Sequence, residues 1–247
     1  MAELHKYKLK ISYDGTNYSG WQKQPNGVTI QELLWKALET CTGQDLKLIG
    51  SGRTDAGVHA FGQTANFKCE TRLNSEAFQN GLNSLLPNDI VIKKCESVSD
   101  DFHARFNVKR KTYQYRILNQ NLPAAINRQY AWFIKRKLNI VSMRHACDHL
   151  IGDHDFKAFE GTGSPRAHTI RNISKAELTA QDHCIYFNIE ANGFLRYMVR
   201  NIIGTLVNVG LGKITAEDFK LIMDSKDRSQ AGATAPPHGL FLVKVLY

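Results

Sequence analysis

Apolar and polar positions alternate at the start of the chain. Tyr7, Leu9, Ile11 and Tyr13 fall on one side and Lys8, Lys10 and Ser12 on the other, which predicts a strand with one buried face. The period then lengthens. Leu34, Leu38 and Cys41 recur at helical spacing, Thr29 followed by Glu32 reads as a capping box, and Gly43 closes that helix. A Gly-rich strand-and-loop region covers residues 46–69. A second helix puts Phe78, Leu82 and Leu85 on one face and stops at Pro87, and residues 90–95 form a short strand. Residues 112–118 read as a strand, 141–151 as a helix, and 184–190 as a strand with Ile185, Phe187 and Ile189 on one side. A long amphipathic helix is expected over residues 195–209, carrying Met198, Val199, Ile202, Ile203 and Leu206. A helix over 216–223 and a strand over 240–246 follow.

Strands and helices thus come in two sets rather than in regular βαβ alternation. The expectation is an α+β fold of two pseudo-repeated halves, residues 1–105 and 106–247. Each half puts helices on one face of a mostly antiparallel sheet.

Composition narrows the class of partner. A net charge of +9 favours polyanions such as nucleic acid or an acidic membrane surface, although a basic protein can also simply stay soluble. The apolar run over 202–209 is broken by Gly204, Thr205 and Asn208, so no membrane span is expected. The opening residues Met-Ala-Glu-Leu-His-Lys lack the apolar core of a signal peptide. Five scattered cysteines, none spaced C-x-x-C, suit the reduced thiols of a cytoplasmic protein.

Candidate chemistry concentrates in Gly50-Ser51-Gly52-Arg53-Thr54-Asp55-Ala56-Gly57-Val58-His59-Ala60. Its glycines allow a sharp turn and the close approach of another segment. In an extended backbone Arg53 and Asp55 point the same way, and a neighbouring cation keeps a carboxylate ionised and nucleophilic. Spacing alone also accommodates an aspartate that merely stabilises a turn. The glycine pattern is not a dinucleotide fingerprint, because no helix opens there.

A second cluster runs Asp101-Phe102-His103-Ala104-Arg105-Phe106, then Lys109-Arg110-Lys111-Thr112-Tyr113-Gln114-Tyr115-Arg116. It interleaves cations for phosphates with rings for splayed bases, as suits RNA. Tyr113 and Tyr115 share a strand face, either as stacking platforms or as core residues. Arg196 and Arg200 are expected one turn apart near the N-terminal end of the long helix. The helix dipole disfavours cations there, which suggests a paired anion, with a solvated face as the alternative. His145, Cys147, His149 and His154 include the i, i+4 pair of a zinc helix. No Glu follows His145 and no C-x-x-C completes a site, so no metal is expected.

Together and in order, these segments resemble the tRNA pseudouridine synthase A (TruA) family over nearly the whole chain. The likeness begins with Tyr13-Asp14-Gly15-Thr16 and Gly20-Trp21-Gln22 and continues through the Gly52–Ala60 block, the 101–106 cluster and Lys111-Thr112-Tyr113-Gln114-Tyr115. It goes on through Gly152-Asp153-His154-Asp155-Phe156 and Met198-Val199-Arg200-Asn201. It ends with Ala231-Gly232-Ala233-Thr234-Ala235-Pro236-Pro237 and Gly239-Leu240-Phe241-Leu242.

The resemblance implies that Asp55 is the catalytic aspartate and that Tyr113 stacks on the target uracil. It makes Arg53 the loop arginine that displaces the base or fills its place, Arg200 the basic partner of the aspartate, and Leu240 an apolar neighbour of the uracil. It also implies RNA-recognition-like sheets of the pseudouridine synthase architecture with the active-site cleft between the two halves, a cytoplasmic homodimer, and no metal or organic cofactor. The implied substrate is uridine at positions 38 to 40 of the tRNA anticodon stem-loop.

Making pseudouridine means breaking the bond from sugar to ring nitrogen, rotating the uracil and rejoining it through ring carbon. A carboxylate can attack the sugar or the ring, or take a proton from the sugar, and the residues do not choose among these routes. The base must first leave the stack, so a stacking ring and a residue filling the gap are both expected. Two other classes compete: a non-catalytic RNA-binding module and an aspartate phosphotransferase. The second would need Mg²⁺ and converging carboxylates, which the Asp55 segment does not supply.

Overall fold

In the computed structural model, which describes residues 3–163 and 168–247, β1 (Glu3–Tyr13) buries Tyr7, Leu9, Ile11 and Tyr13, as its alternation requires. The chain divides into two compact units, Met1–Lys109 with Leu242–Tyr247, and Arg110–Phe241.

In the first unit α1 (Ile30–Thr42) precedes β2 (Ile49–Gly50), β3 (His59–Thr71), α2 (Ser75–Leu85) and β4 (Ile90–Val98). β1 lies between β3 and β4, antiparallel to both, and β2 pairs with β3. Tyr7 sits 4.7 Å from Phe78 and 5.4 Å from Phe67, ring to ring, so the first apolar face of the sequence ties α2 to the sheet.

Two sequence details change here. Thr29 Oγ1 accepts the Glu32 N–H, but the Glu32 carboxylate turns to Lys36 at 2.7 Å, so only half the expected capping box forms. Leu85 is exposed rather than on the buried face. The helix ends there, and Leu86, extended at φ −83° and ψ 150°, takes the buried place instead.

In the second unit β5 (Arg110–Asn119), β6 (Trp132–Ile134), α3 (Ile140–Asp148), β7 (Gly152–Asp155), β8 (Ile170–Gln181) and β9 (Cys184–Ala191) come first. α4 (Met198–Gly210), α5 (Ala216–Ser225) and β10 (Leu240–Leu246) follow, with β10 crossing into the first unit at Leu242. The order β5-β9-β8-β7 is antiparallel throughout, and β6 joins β5 in parallel. Helices α3, α4 and α5 pack together, and α3 covers β8. The fold is α+β with mostly antiparallel sheets, as expected.

The long helix is shorter than its apolar pattern predicts. Tyr197 takes a left-handed conformation at φ 60°, so α4 begins at Met198. Arg196 therefore lies ahead of the helix and does not share a helical face with Arg200. Helix α3 likewise ends at Asp148, with His149 as its cap, rather than running to 151.

Candidate active site

Residues 13–22 and 50–60, distant in sequence, lie against each other in the first unit. The Trp21 N–H donates to the Thr54 carbonyl at 3.1 Å, and the Gly57 N–H to the Tyr18 carbonyl at 3.3 Å. Tyr13 and Thr54 hydroxyls are 2.8 Å apart. Burial pushes the Tyr13 hydroxyl well up from its ordinary range, outweighing its hydrogen bonds to Thr54 and Gln63, so it stays protonated. Gly20 allows this approach: a Cβ there would lie 2.6 Å from the Thr54 carbonyl oxygen.

Gln63 supports the segment from below. Fully buried on β3, its Oε1 accepts from Ser51 Oγ at 2.6 Å and from the Thr64 N–H at 3.0 Å. Its Nε2 donates to the Gly52 carbonyl at 3.0 Å. Ser51, Gly52 and Thr54 are thereby fixed on one side of Asp55 and Gly57 on the other. Asp55 itself opens a β-turn closed by the Val58 N–H onto its carbonyl at 3.1 Å, with Gly57 at φ 76° supplying the left-handed third position. Asp55 is half-buried; Arg53 is exposed and donates from Nε to Gln22 Oε1 at 3.2 Å. A carboxylate on a loop pinned at both flanks is pre-organised to act as nucleophile or base.

Asp14 and His59 form a second polar contact where this loop enters β3. Asp14 Oδ1 accepts from the Thr16 N–H at 2.9 Å and the Thr16 hydroxyl at 2.6 Å. The buried His59 Nδ1 lies 3.0 Å from Asp14 Oδ1 and 3.0 Å from the Gly15 nitrogen. That single nitrogen can accept the Gly15 N–H or, protonated, donate to Asp14, but not both at once. No role for Gln63, Asp14 or His59 is legible in the sequence. The local signal for Gln63 is an amide set among Phe61, Ala65, Phe67 and Cys69 on one strand face.

Tyr113, Arg200 and Leu240 lie in the second unit. Tyr113 is 8% exposed and meets Phe194 edge-on at 5.1 Å. Tyr115 is a core residue. It is fully buried and donates to the Pro236 carbonyl at 2.8 Å, and burial raises its pKa against the opposing charge of Arg200. Arg200 sits in the first turn of α4, donates from Nε to the Ala235 carbonyl at 2.7 Å, and stands 5.0 Å from the Tyr197 ring. Leu240 is buried at the start of β10, just after a short 3-10 turn at Pro237–Gly239.

The 231–236 segment straps α4. Thr205 Oγ1 accepts the Gly232 N–H at 2.9 Å, and the Ala235 N–H donates to the Arg200 carbonyl at 3.1 Å. The buried Asn201 Oδ1 accepts from Thr234 Oγ1 at 2.6 Å and from Arg228 at 3.1 Å. The motifs around residues 200 and 235 therefore form one hydrogen-bonded substructure.

Among the described residues, no three His, Cys, Asp or Glu side chains gather as a metal-ligating group. His154 Nε2 lies 2.8 Å from the Ile151 carbonyl oxygen. No helix among the described residues is long and apolar enough to cross a membrane.

A family model described as tRNA pseudouridine synthase matches residues 10–107 and 146–247. The tRNA pseudouridine synthase A of Thermoanaerobacter sp. (strain X514) is 50% identical over 99% of this chain and 100% of its own. That of Caldicellulosiruptor saccharolyticus is 49% identical over 97% and 98%, and that of Clostridium acetobutylicum 48% over 99% and 100%. Likeness of this extent defines the class as an RNA-modifying isomerase. The chain belongs to the tRNA pseudouridine synthase family.

Proposed function

We propose that this chain converts uridine to pseudouridine at positions 38, 39 and 40 of the tRNA anticodon stem-loop, with Asp55 as the catalytic carboxylate. The observation that carries the reading is the loop itself: Asp55 is held half-buried on a turn clamped by residues 13–22 and by the Gln63 amide. A residue serving only its own turn would not need that support. In this reading the flipped uracil stacks on Tyr113 and meets Leu240, Arg53 displaces the base or fills its place, and Arg200 balances the carboxylate's charge. The reaction is an isomerisation with no net redox or hydrolysis, and these residues perform it without metal or organic cofactor. A cytoplasmic homodimer belongs to the same reading.

The test is incubation of the purified protein, with chelator present, on a uridine-labelled tRNA transcript, followed by nucleoside analysis. Pseudouridine should appear in the anticodon stem-loop and vanish with Asp55→Ala while tRNA affinity is largely kept. Normal turnover by Asp55→Ala would sink the catalytic assignment. Tyr113→Phe should be milder than Tyr113→Ala, since stacking needs the ring; equal losses would point to the hydroxyl instead.

A further inference from the structure

Phe106 is 74% exposed, an unusual place for a large ring. The segment that presents it is nevertheless tightly built. The His103 N–H donates to Asn107 Oδ1 at 2.5 Å and the Asn107 N–H returns to the His103 carbonyl at 3.1 Å. His103 Nδ1 accepts the N–H groups of Arg105 at 3.1 Å and Phe106 at 3.2 Å. This clasp is anchored to the unit beneath it. Ala104, fully buried, donates to the buried Asn66 Oδ1 at 2.7 Å and accepts from the Tyr247 hydroxyl at 2.8 Å. The ring is therefore held outward by a fixed backbone rather than left on a loose tip.

Its neighbours define what it can bind. The His103 imidazole lies 4.3 Å from the Phe106 ring at an angle of 30°, and the Arg105 guanidinium 5.7 Å from the ring centroid. A largely exposed ring beside a guanidinium suits a nucleotide: the ring stacks on the base and the cation meets a phosphate. The net charge of +9 favours the same partner.

The geometry points to Phe106, with His103 and Arg105, as a stacking platform for an unpaired tRNA nucleotide other than the isomerised uridine. The inference rests on the tRNA reading above. Tyr113 already serves the target uracil in that reading, so Phe106 takes a second base and contributes to binding rather than to chemistry.

Labelled tRNA would be titrated by fluorescence anisotropy into wild type, Phe106→Ala, Phe106→Leu, Phe106→Trp and Arg105→Ala. Turnover and light-scattering mass would be measured on the same samples. Phe106→Ala should weaken binding by roughly 5- to 140-fold, the span of one base stacked on an aromatic ring. Phe106→Leu should lose a similar factor, while Phe106→Trp binds as wild type with its indole fluorescence quenched. Turnover at saturating tRNA should stay within about twofold of wild type for every Phe106 variant, since the ring acts in binding. Arg105→Ala should reduce the slope of log affinity against log salt by about one.

Unchanged affinity in Phe106→Ala would overturn the platform, and full affinity in Phe106→Leu would replace stacking by plain apolar contact. A change in particle mass with tRNA affinity intact would assign the ring to contact with a second copy of the chain. Wild type that makes no pseudouridine while Phe106→Ala still loses tRNA affinity would overturn the proposed reaction but not the platform.

Discussion

At Gln63 one buried amide hydrogen-bonds Ser51 Oγ, the Gly52 carbonyl and the Thr64 N–H, so its removal takes a bond from each of these groups at once. Each unsatisfied buried group costs about 1–3 kcal/mol. Gln63→Leu should therefore lower unfolding free energy by roughly 3 kcal/mol or more in urea titration. It should also reduce turnover more than tRNA affinity, because the flank of Asp55 loosens. An unchanged urea midpoint would mean that water replaces the amide.

His238 gives a pH signature at the same scale. Burial holds its pKa below the usual imidazole value of 6.5; a hydrogen bond with the Ala131 backbone opposes the shift and the Arg200 charge adds to it. The unfolded chain then takes up this proton more readily than the folded one. The stability contribution is full above about pH 6.5 and is lost as pH falls through the lower folded value. Relative to His238→Gln, wild type should lose melting temperature between about pH 7 and pH 5. Parallel curves for the two proteins would remove the imidazole from the account.

Between elements, the contact of α4 with its strap is set by the absence of a side chain. A Cβ on Gly204 would come 1.7 Å from the Ala233 carbonyl oxygen, backbone that cannot swing aside. Gly204→Ala should destabilise the protein by about 2–3 kcal/mol, at the upper end for overpacking, as read from chemical denaturation. A near-neutral result would show the strap to be mobile. The buried Asn201, hydrogen-bonded to Thr234, Arg228 and the Phe159 carbonyl, keeps the helix start and the strap in one register. That linkage explains why a helix opening with a cation at its third residue is tolerated: Arg200 spends its Nε proton on the Ala235 carbonyl.

For the molecule as a whole, charge and thiol burial make separate predictions. With a net charge of +9, tRNA affinity should fall steeply as salt rises, and a flat response from low to moderate salt would eliminate the electrostatic contribution. Burial pushes the Cys69 thiol up to about 11 and those of Cys95 and Cys147 up to about 12. At neutral pH these three are inert thiols. Iodoacetamide followed by peptide mapping should mark the half-buried Cys41 and Cys184 first and the other three only on unfolding. Early labelling of Cys147 would reveal opening of α3.

The α+β class is legible in the amino-acid order, as are the elements whose apolar period is unbroken: β1, α1, the body of α4 and β9. That order also marked the Asp55 segment, through glycine spacing and through ordered motifs that resemble one family. Periodicity is a property of neighbours along the chain, and so these features were legible. It fails where distant pairing shifts the register. β8 went unread because a bulge between Ile173 and Lys175 moves its buried positions from Ile173 to Ala176 and Leu178, breaking the alternation. The start of α4 was missed because one left-handed residue, Tyr197, overrides an apolar stripe that continues through it. That Tyr115 is core, that Leu85 faces water, that Gln63 bonds Ser51 and Gly52, and that Asp14 meets His59 came only with tertiary structure. Their roles depend on which carbonyls and hydroxyls lie within about 3 Å, a distance fixed by strands brought together from far along the chain.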